Sequence, residues 1–532
     1  MASGARGWDT RWAVAHSPKI IQGIMAGVCD YCAFGLALRV FGPAAARWAL
    51  LFQVLSWFNF YCLVRPYSNS AEAVLAMAAL YLWAPFLLAT PSRSGVVPSP
   101  GPGSAARSSG GSRETVALLL AALCVAVRPT SAAFWAAAGL VRLSKLPPRR
   151  WPRYLALMVF PPVLAVVGAS FCLDSALYGT VTLVPLNFLR FNVLEGRSRI
   201  FGEQAWHWNF SQGLPAVVGA ALPATLWGFC QERGSNRRLG WLAVWFLAYH
   251  STSPHKEFRF LLPVLPIAHA YAGQAVASFV AGGVDDACER ANRNASSPTP
   301  KPKGEGAGGA TVSVSSGRPR RRARRRTMIV VGLLLVLHVP AAVYLSVWHQ
   351  SGALSAVDVV ADRIAAKTAE GGAIDDVTMT VHFLMPCHSA PLYSHLHFRG
   401  IEMDLRFLDC SPANRELPGG SESDKFQADP LGFLESFYRR GGGGARRGVA
   451  AFAHPPDLAV IYSTHLNRPG VDRFLKELGL VVVETLFNAH VNGDADCEDT
   501  HRSVAVLERI GSGAVACRAE EEGSCVISDE YS

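Results

Sequence analysis

Six consecutive residues, His255-Lys256-Glu257-Phe258-Arg259-Phe260, place an imidazole, an ammonium, a carboxylate and a guanidinium at the start of an apolar run continuing Leu261-Leu262-Pro263-Val264-Leu265-Pro266. Ionisable groups at membrane depth are costly and face an internal cavity, a partner or a ligand. Two readings stand side by side. Either Lys256 and Arg259 snorkel to lipid headgroups, or the cluster binds phosphate, with arginine offering a two-point grip on its oxygens.

A second patch runs Trp206-His207-Trp208-Asn209-Phe210-Ser211-Gln212-Gly213. Its tryptophans suit an interfacial aromatic belt and equally a sugar or lipid headgroup. Asn187 and Asn192 lie in the same loop. The third patch, Arg65-Pro66-Tyr67-Ser68-Asn69-Ser70-Ala71-Glu72, reads first as a helix start, with Asn69 or Ser70 capping and Glu72 at the positive helix end. Cys387-His388 and His395-Leu396-His397 fit no common zinc spacing, so no metal is expected.

These patches sit between long apolar segments. Half of the 532 residues are hydrophobic and 17% are charged, against about a quarter charged in soluble domains. Runs at Ala44–Val64, Ala71–Ala89, Tyr154–Leu173, Leu214–Cys230, Phe260–Val280 and Met328–Val347 approach the ~20 residues that cross a bilayer. Thr115–Val127 and Ser131–Val141 are too short alone, and Arg128-Pro129-Thr130 separates them, which predicts a broken or re-entrant helix. The net charge of +10 is concentrated beside spans, as in the seven arginines of 318–326, so it signals membrane orientation and no nucleic-acid partner. Basic loops at 142–153, 233–238 and 318–326 fall on one side. The loop 177–213, the turn 255–259 and everything after about Trp348 then face the opposite, luminal side. Asn209-Phe210-Ser211 is a glycosylation sequon there, though the next span is close.

The expected architecture is mainly α: a multi-pass transmembrane helical bundle over 1–348, with a small luminal α/β domain over 349–532. Pro/Gly/Ser-rich insertions lie at about 91–113 and 282–317. In the tail, strands are predicted at Val377–Leu384, Leu458–Tyr462, Leu480–Thr485 and Ser503–Leu507, with a helix at Pro469–Leu478 giving a βαβ unit. Cys387, Cys410, Cys497, Cys517 and Cys525 can form disulfides in an oxidising lumen. Cys62, Cys124 and Cys172 read as core packing.

Together the patches resemble one family. His255–Phe260 has the form of the HKExRF signature of the dolichol-phosphate-mannose-dependent mannosyltransferases of glycosyltransferase family 22. The stretches Asn187…Asn192…Trp206–Gly213 and Phe383–His395, with Leu408-Asp409-Cys410, are similar to the GPI-anchor branch of that family. The resemblance implies a GT-C enzyme of the endoplasmic reticulum membrane. It would transfer the third mannose, in α-1,2 linkage and with inversion, from dolichol-phosphate-mannose to a GPI precursor glycolipid, with no further cofactor. His255, Lys256 and Arg259 would bind the donor phosphate. Glu257 would act as base or orient the cations, and Arg65, Asn69, Glu72, Asn187, Asn192, Trp206, His207, Trp208 and Gln212 would line the substrate site. The family's acidic His-Pro-Asp-Glu loop, whose aspartate is the presumed base, has no match in these residues. The alternatives are a family member acting on N-glycan precursors, an inactive GPI-pathway binding protein, and a transporter, which would call for repeat symmetry that is not seen.

Overall fold

The computed structural model describes residues 4–88, 104–295, 317–370, 377–398, 401–415, 418–438, 455–490 and 501–510. The chain divides into two compact units, residues 17–346 and residues 347–532 with 1–16. Among the described residues, six helical stretches are long and apolar enough to cross a membrane. This is a multi-pass membrane protein.

The larger unit starts within α1 (Gly4–Phe41), whose segment Arg11–Phe41 is such a stretch. Sequence reading passed over it because Lys19, Gln22 and Asp30 interrupt its apolar character. The predicted span at Ala44–Val64 is not one helix. α2 (Pro43–Leu55) stops at Ser56, whose ψ of 117° leaves the helical region, and the chain rewinds as one wide turn at Asn59–Leu63. Asn59 fills this break, its amide donating to the Gln53 carbonyl at 3.2 Å. α3 spans Ser68–Leu88.

α4 (Ser104–Val127) and α5 (Ala132–Leu143) flank a short 3-10 turn at Pro129–Ser131. The break at Arg128 follows from Pro129, which forces the preceding residue into extended backbone (φ −142°, ψ 103°). Part of the expected 91–113 insertion is helical from Ser104, where Ala105, Ala106 and Arg107 favour helix. The remaining bundle helices include Phe160–Tyr178, Leu222–Gln231, Arg237–Ser251, Leu265–Ala295 and Gly317–Val347. Gly273 lets α2 approach the Leu265–Ala295 helix closely, since a Cβ there would strike the backbone of Ala45 and Ala49. A hydrogen bond of 2.7 Å between His269 and Gln53 ties the same two helices. Cys62 and Cys124 are buried as expected, but Cys172 is exposed and packs no core.

The smaller unit is a five-stranded sheet, β1 (Val377–Leu384), β2 (Ile401–Phe407), β3 (Leu458–Tyr462), β4 (Leu480–Phe487) and β5 (Ser503–Arg509), in the order β2-β1-β3-β5-β4. β2 is parallel to β1 and was not predicted, because its alternation carries Glu402, Asp404 and Arg406. The βαβ expectation needs correction. β3 and β4 run the same way but do not pair, because β5 inserts antiparallel between them. β3 is buried on both faces: Leu458, Val460 and Tyr462 pack with the Ser351–Glu370 helix, and Ala459 and Ile461 with Phe474 and Leu475. Cys387 and Cys410 form a disulfide, so these sulfurs are spent on each other rather than offered with His388 as metal ligands. Cys497, Cys517, Cys525 and the Gly441–Gly444 run lie outside the described residues.

His382 on β1 is 1% exposed and hydrogen-bonds Tyr438 Oη at 2.7 Å. Burial pushes its pKa down to about 4. A depressed histidine favours the neutral folded state, so stability is fully present above the ordinary value near 6.5 and is lost as pH falls toward 4. The tail should lose about 3 kcal/mol across that window, read as rising protease sensitivity. His382→Gln flattens this slope if the burial of the imidazole is its cause, and leaves it unchanged if other groups dominate.

Candidate active site

The signature hexapeptide leaves the Arg237–Ser251 helix through a short turn and enters a 3-10 segment, Phe258–Val264, before the Leu265–Ala295 helix. Pro263 and Pro266 favour this tight, hydrogen-bond-poor entry. The four ionisable side chains are held separately.

Glu257 is clamped on both carboxylate oxygens. His255 Nε2 donates to Oε1 at 2.9 Å, Arg259 Nη2 to the same oxygen at 2.8 Å, and Arg259 Nε lies 2.5 Å from Oε2. Burial raises the pKa of Glu257, but the bonds from His255 and Arg259 outweigh it and the net shift is downward. Lys256 is 5% exposed, and its ammonium donates to the carbonyls of Gln204 at 3.0 Å and Ser253 at 2.5 Å. That uses two of its three donors. Burial lowers its pKa, against the opposing pull of Glu203.

These contacts bring the second patch to the first. Gln204 N–H donates to Pro254 O at 3.0 Å, so the lysine closes a short backbone bridge between the two segments. Trp208 is buried with its ring 4.8 Å from that of Phe258. Gly213 is required where they meet, because a Cβ there would sit 2.9 Å from both Trp208 and Leu261. Asn209 is 1% exposed and its amide bonds Ser251 Oγ at 3.1 Å, so the sequon nitrogen is enclosed in the folded protein. Trp206, His207 and Gln212 are exposed beside it, His207 bonded to Ser211 Oγ at 2.9 Å.

The third patch joins through Tyr67, whose ring faces the Arg259 guanidinium at 5.4 Å. Arg65 stacks on Tyr61 at 3.9 Å and donates to the Tyr61 carbonyl at 3.0 Å. Asn69 is 3% exposed and Glu72 is 1% exposed. The capping role expected for Ser70 is not what its side chain does: its hydroxyl donates back to Cys62 O at 2.9 Å. Glu72 pairs with Arg128, Nε to Oε2 at 2.9 Å, and accepts from Ser131 Oγ. Asn187 and Asn192 are not drawn in by any of these contacts. Asn187 is exposed, and Asn192 bonds the Phe188 carbonyl one turn back at 3.0 Å.

Arg128 is the site residue that sequence reading missed. It served there only as a break between short helices, although a charge at membrane depth is itself a functional signal. Its guanidinium lies 5.0 Å over the Phe260 ring and donates to Ser68 Oγ at 3.3 Å. The arrangement is thus three arginines, each laid on an aromatic ring, two of them paired with a clamped carboxylate. Such a cluster suits an anionic, oxygen-rich group.

The model of the Alg9-like mannosyltransferase family matches residues 6–397, which include every residue of this cluster. The chain belongs to that family. Mannosyltransferase APTG1 of Arabidopsis thaliana is 32% identical over 494 residues, covering 93% of this chain and 78% of that protein. GPI mannosyltransferase 3 of Yarrowia lipolytica is 30% identical, covering 92% and 81%. GPI alpha-1,2-mannosyltransferase 3 of Homo sapiens is 28% identical, covering 80% of this chain and 64% of that protein. The family member described here therefore spans about two thirds of the human relative's length. The crystal structure of ArnT from Cupriavidus metallidurans bound to undecaprenyl phosphate matches with a TM-score of 0.52 at 14% identity, over 93% of this chain and 84% of that one. That similarity is one of fold, the GT-C fold of membrane glycosyltransferases, and it places this family member in the same class.

Lys256→Met removes both carbonyl contacts, each a charged hydrogen bond worth about 2 kcal/mol. Faster hydrogen exchange at the Gln204 amide is expected, with Lys256→Arg restoring most protection. Unchanged exchange in Lys256→Met would show that the lysine does not hold this loop.

Proposed function

We propose that the protein transfers mannose from dolichol-phosphate-mannose to the 2-hydroxyl of the second mannose of a GPI precursor, forming an α-1,2 linkage with inversion at the luminal face of the endoplasmic reticulum membrane. The observation that carries this reading is the convergence of the Trp206–Gly213 and Arg65–Glu72 segments on the hexapeptide, Trp208 against Phe258 and Tyr67 against Arg259. The names of the relatives, GPI mannosyltransferase 3 and GPI alpha-1,2-mannosyltransferase 3, support a GPI acceptor and an α-1,2 linkage.

In this reaction the leaving group is a phosphate, whose charge grows as the anomeric carbon–oxygen bond breaks. Fixed donors aimed at that charge lower the barrier. Arg259 suits this role, because Glu257 holds its fork on one edge while the side chain stays 41% exposed. Of the two roles open to Glu257, orientation fits the geometry: Oε1 accepts from His255 and Arg259 and Oε2 lies in ion-pair contact with the Arg259 Nε, so it is a poor proton acceptor. Glu72 is similarly engaged by Arg128 and Ser131. The general base that an inverting displacement needs is then a carboxylate outside this cluster. Lys256 acts mainly by fixing the loop that carries Trp206, His207 and Gln212, which line the acceptor side. His255 supports Glu257 and stands beside the donor phosphate.

Expression of the protein in cells lacking the third GPI mannosyltransferase is expected to restore GPI-anchored proteins at the surface. Arg259→Ala should reduce mannose transfer by roughly 100-fold or more at unchanged protein abundance. Rescue of an N-glycan-precursor mannosylation defect, without GPI rescue, would move the protein to another branch of its family. Loss of abundance in Arg259→Ala would point to snorkelling and packing instead of phosphate binding.

A further inference from the structure

Two arginine–glutamate pairs with buried carboxylates brace the helices, and they differ in a way that matters for ligand binding. Arg142 closes on Glu114 through both edges of its fork, Nε at 2.7 Å and Nη2 at 3.2 Å, and Trp83 and Tyr154 complete the carboxylate at 3.1 and 2.8 Å. That pair is self-contained. Arg128 meets Glu72 as an ion pair, Nε 2.9 Å from Oε2, and its Nη1 donates one hydrogen bond to Ser68. Five N–H donors belong to a guanidinium, so most of this fork is left over. It lies over Phe260, the residue next to Arg259.

We propose that Arg128 and Arg259 together grip the phosphate of the lipid-linked sugar donor, with Glu72 as the positioning residue that aims Arg128. The inference rests on the donor reading above and adds to it a residue from a different helix pair. A buried ion pair is weak as a source of stability, because desolvation offsets its attraction. A ligand that uses the open edge accounts for keeping such a pair at this depth. Charge points the same way. The guanidinium groups of Arg128 and Arg259 each face one carboxylate, Glu72 and Glu257, while the Lys256 ammonium and the Arg65 guanidinium are bound to backbone carbonyls, so the group is net positive, as an anionic phosphate requires. The side chain of Arg128 is 17% exposed and that of Glu72 1%, so the cation has an open side and its partner has none.

The test uses the purified full chain in detergent, with a short-chain polyprenyl phosphate and the matching polyprenol as probes. Arg128→Lys keeps the charge opposite Glu72 but loses the fork. The double variant Glu72→Gln/Arg128→Gln removes both charges and leaves none buried alone. Both are expected to bind the phosphate about tenfold more weakly, the equivalent of ~1.4 kcal/mol, and the polyprenol as the unaltered protein does. Unaltered phosphate affinity in the double variant overturns the proposal and makes the pair a strut. Weakening in Arg259→Ala but in neither Arg128 variant overturns it equally, leaving the donor reading intact. An unaltered protein that binds the polyprenyl phosphate no better than the polyprenol overturns the donor reading, and the role of Arg128 with it.

Discussion

A charge at the edge of a hydrocarbon layer has to be matched by another charge or by backbone oxygen, and this requirement shapes the candidate site. Lys256 finds two carbonyls, Gln204 and Ser253, and in doing so fixes one chain segment against another. Arg128 finds Glu72 across more than fifty residues of sequence and joins the break after α4 to α3. Arg259 finds Glu257 on its own segment and Tyr67 on another. Because Gln204, Glu72 and Tyr67 lie on segments remote from Lys256, Arg128 and Arg259, satisfying the charges also assembles the site. Trp208, Gly213 and Phe258 then pack the apolar side of the same junction.

Such an arrangement has a functional use. Arginines already paired with carboxylates cannot swing to meet a ligand, but neither do they need to, since their remaining N–H groups are oriented beforehand. Catalysis of phosphate departure draws on that kind of fixed electrostatics. Lysine, with a flexible stem and a compact charge, is used here for holding backbone. Arginine, with its planar fork, is the residue that keeps N–H groups beyond those its carboxylate partner uses.

Much of this was legible from residue types and order. The hexapeptide, the tryptophan-rich segment and most of the membrane helices announce themselves through local signals, namely charge inside apolar runs and run length. What was not legible depends on long-range partners. Ser70 looks like a helix cap, but its hydroxyl bonds the Cys62 carbonyl at the end of the wide turn at Asn59–Leu63 instead. Arg128 looks like punctuation until Glu72 is brought beside it. Strand β2 hides behind its charged residues, and β5, last in sequence, takes the place between β3 and β4 that a simple βαβ reading leaves empty. Asn187 and Asn192 share a loop with the tryptophans, yet proximity in sequence did not bring them into the contacts that join the three segments.

The central claim is that the junction of the 204–213 and 255–260 segments receives the phosphate of a polyprenyl lipid. Photocross-linking with a polyprenyl phosphate carrying a diazirine next to its phosphate, followed by mass-spectrometric mapping, tests it directly. Labelling concentrated at residues 204–213, 255–260 and 65–72, and competed by unlabelled dolichyl phosphate, is the predicted result. Competed labelling concentrated around Glu114, Arg142 and Tyr154 instead would contradict the account.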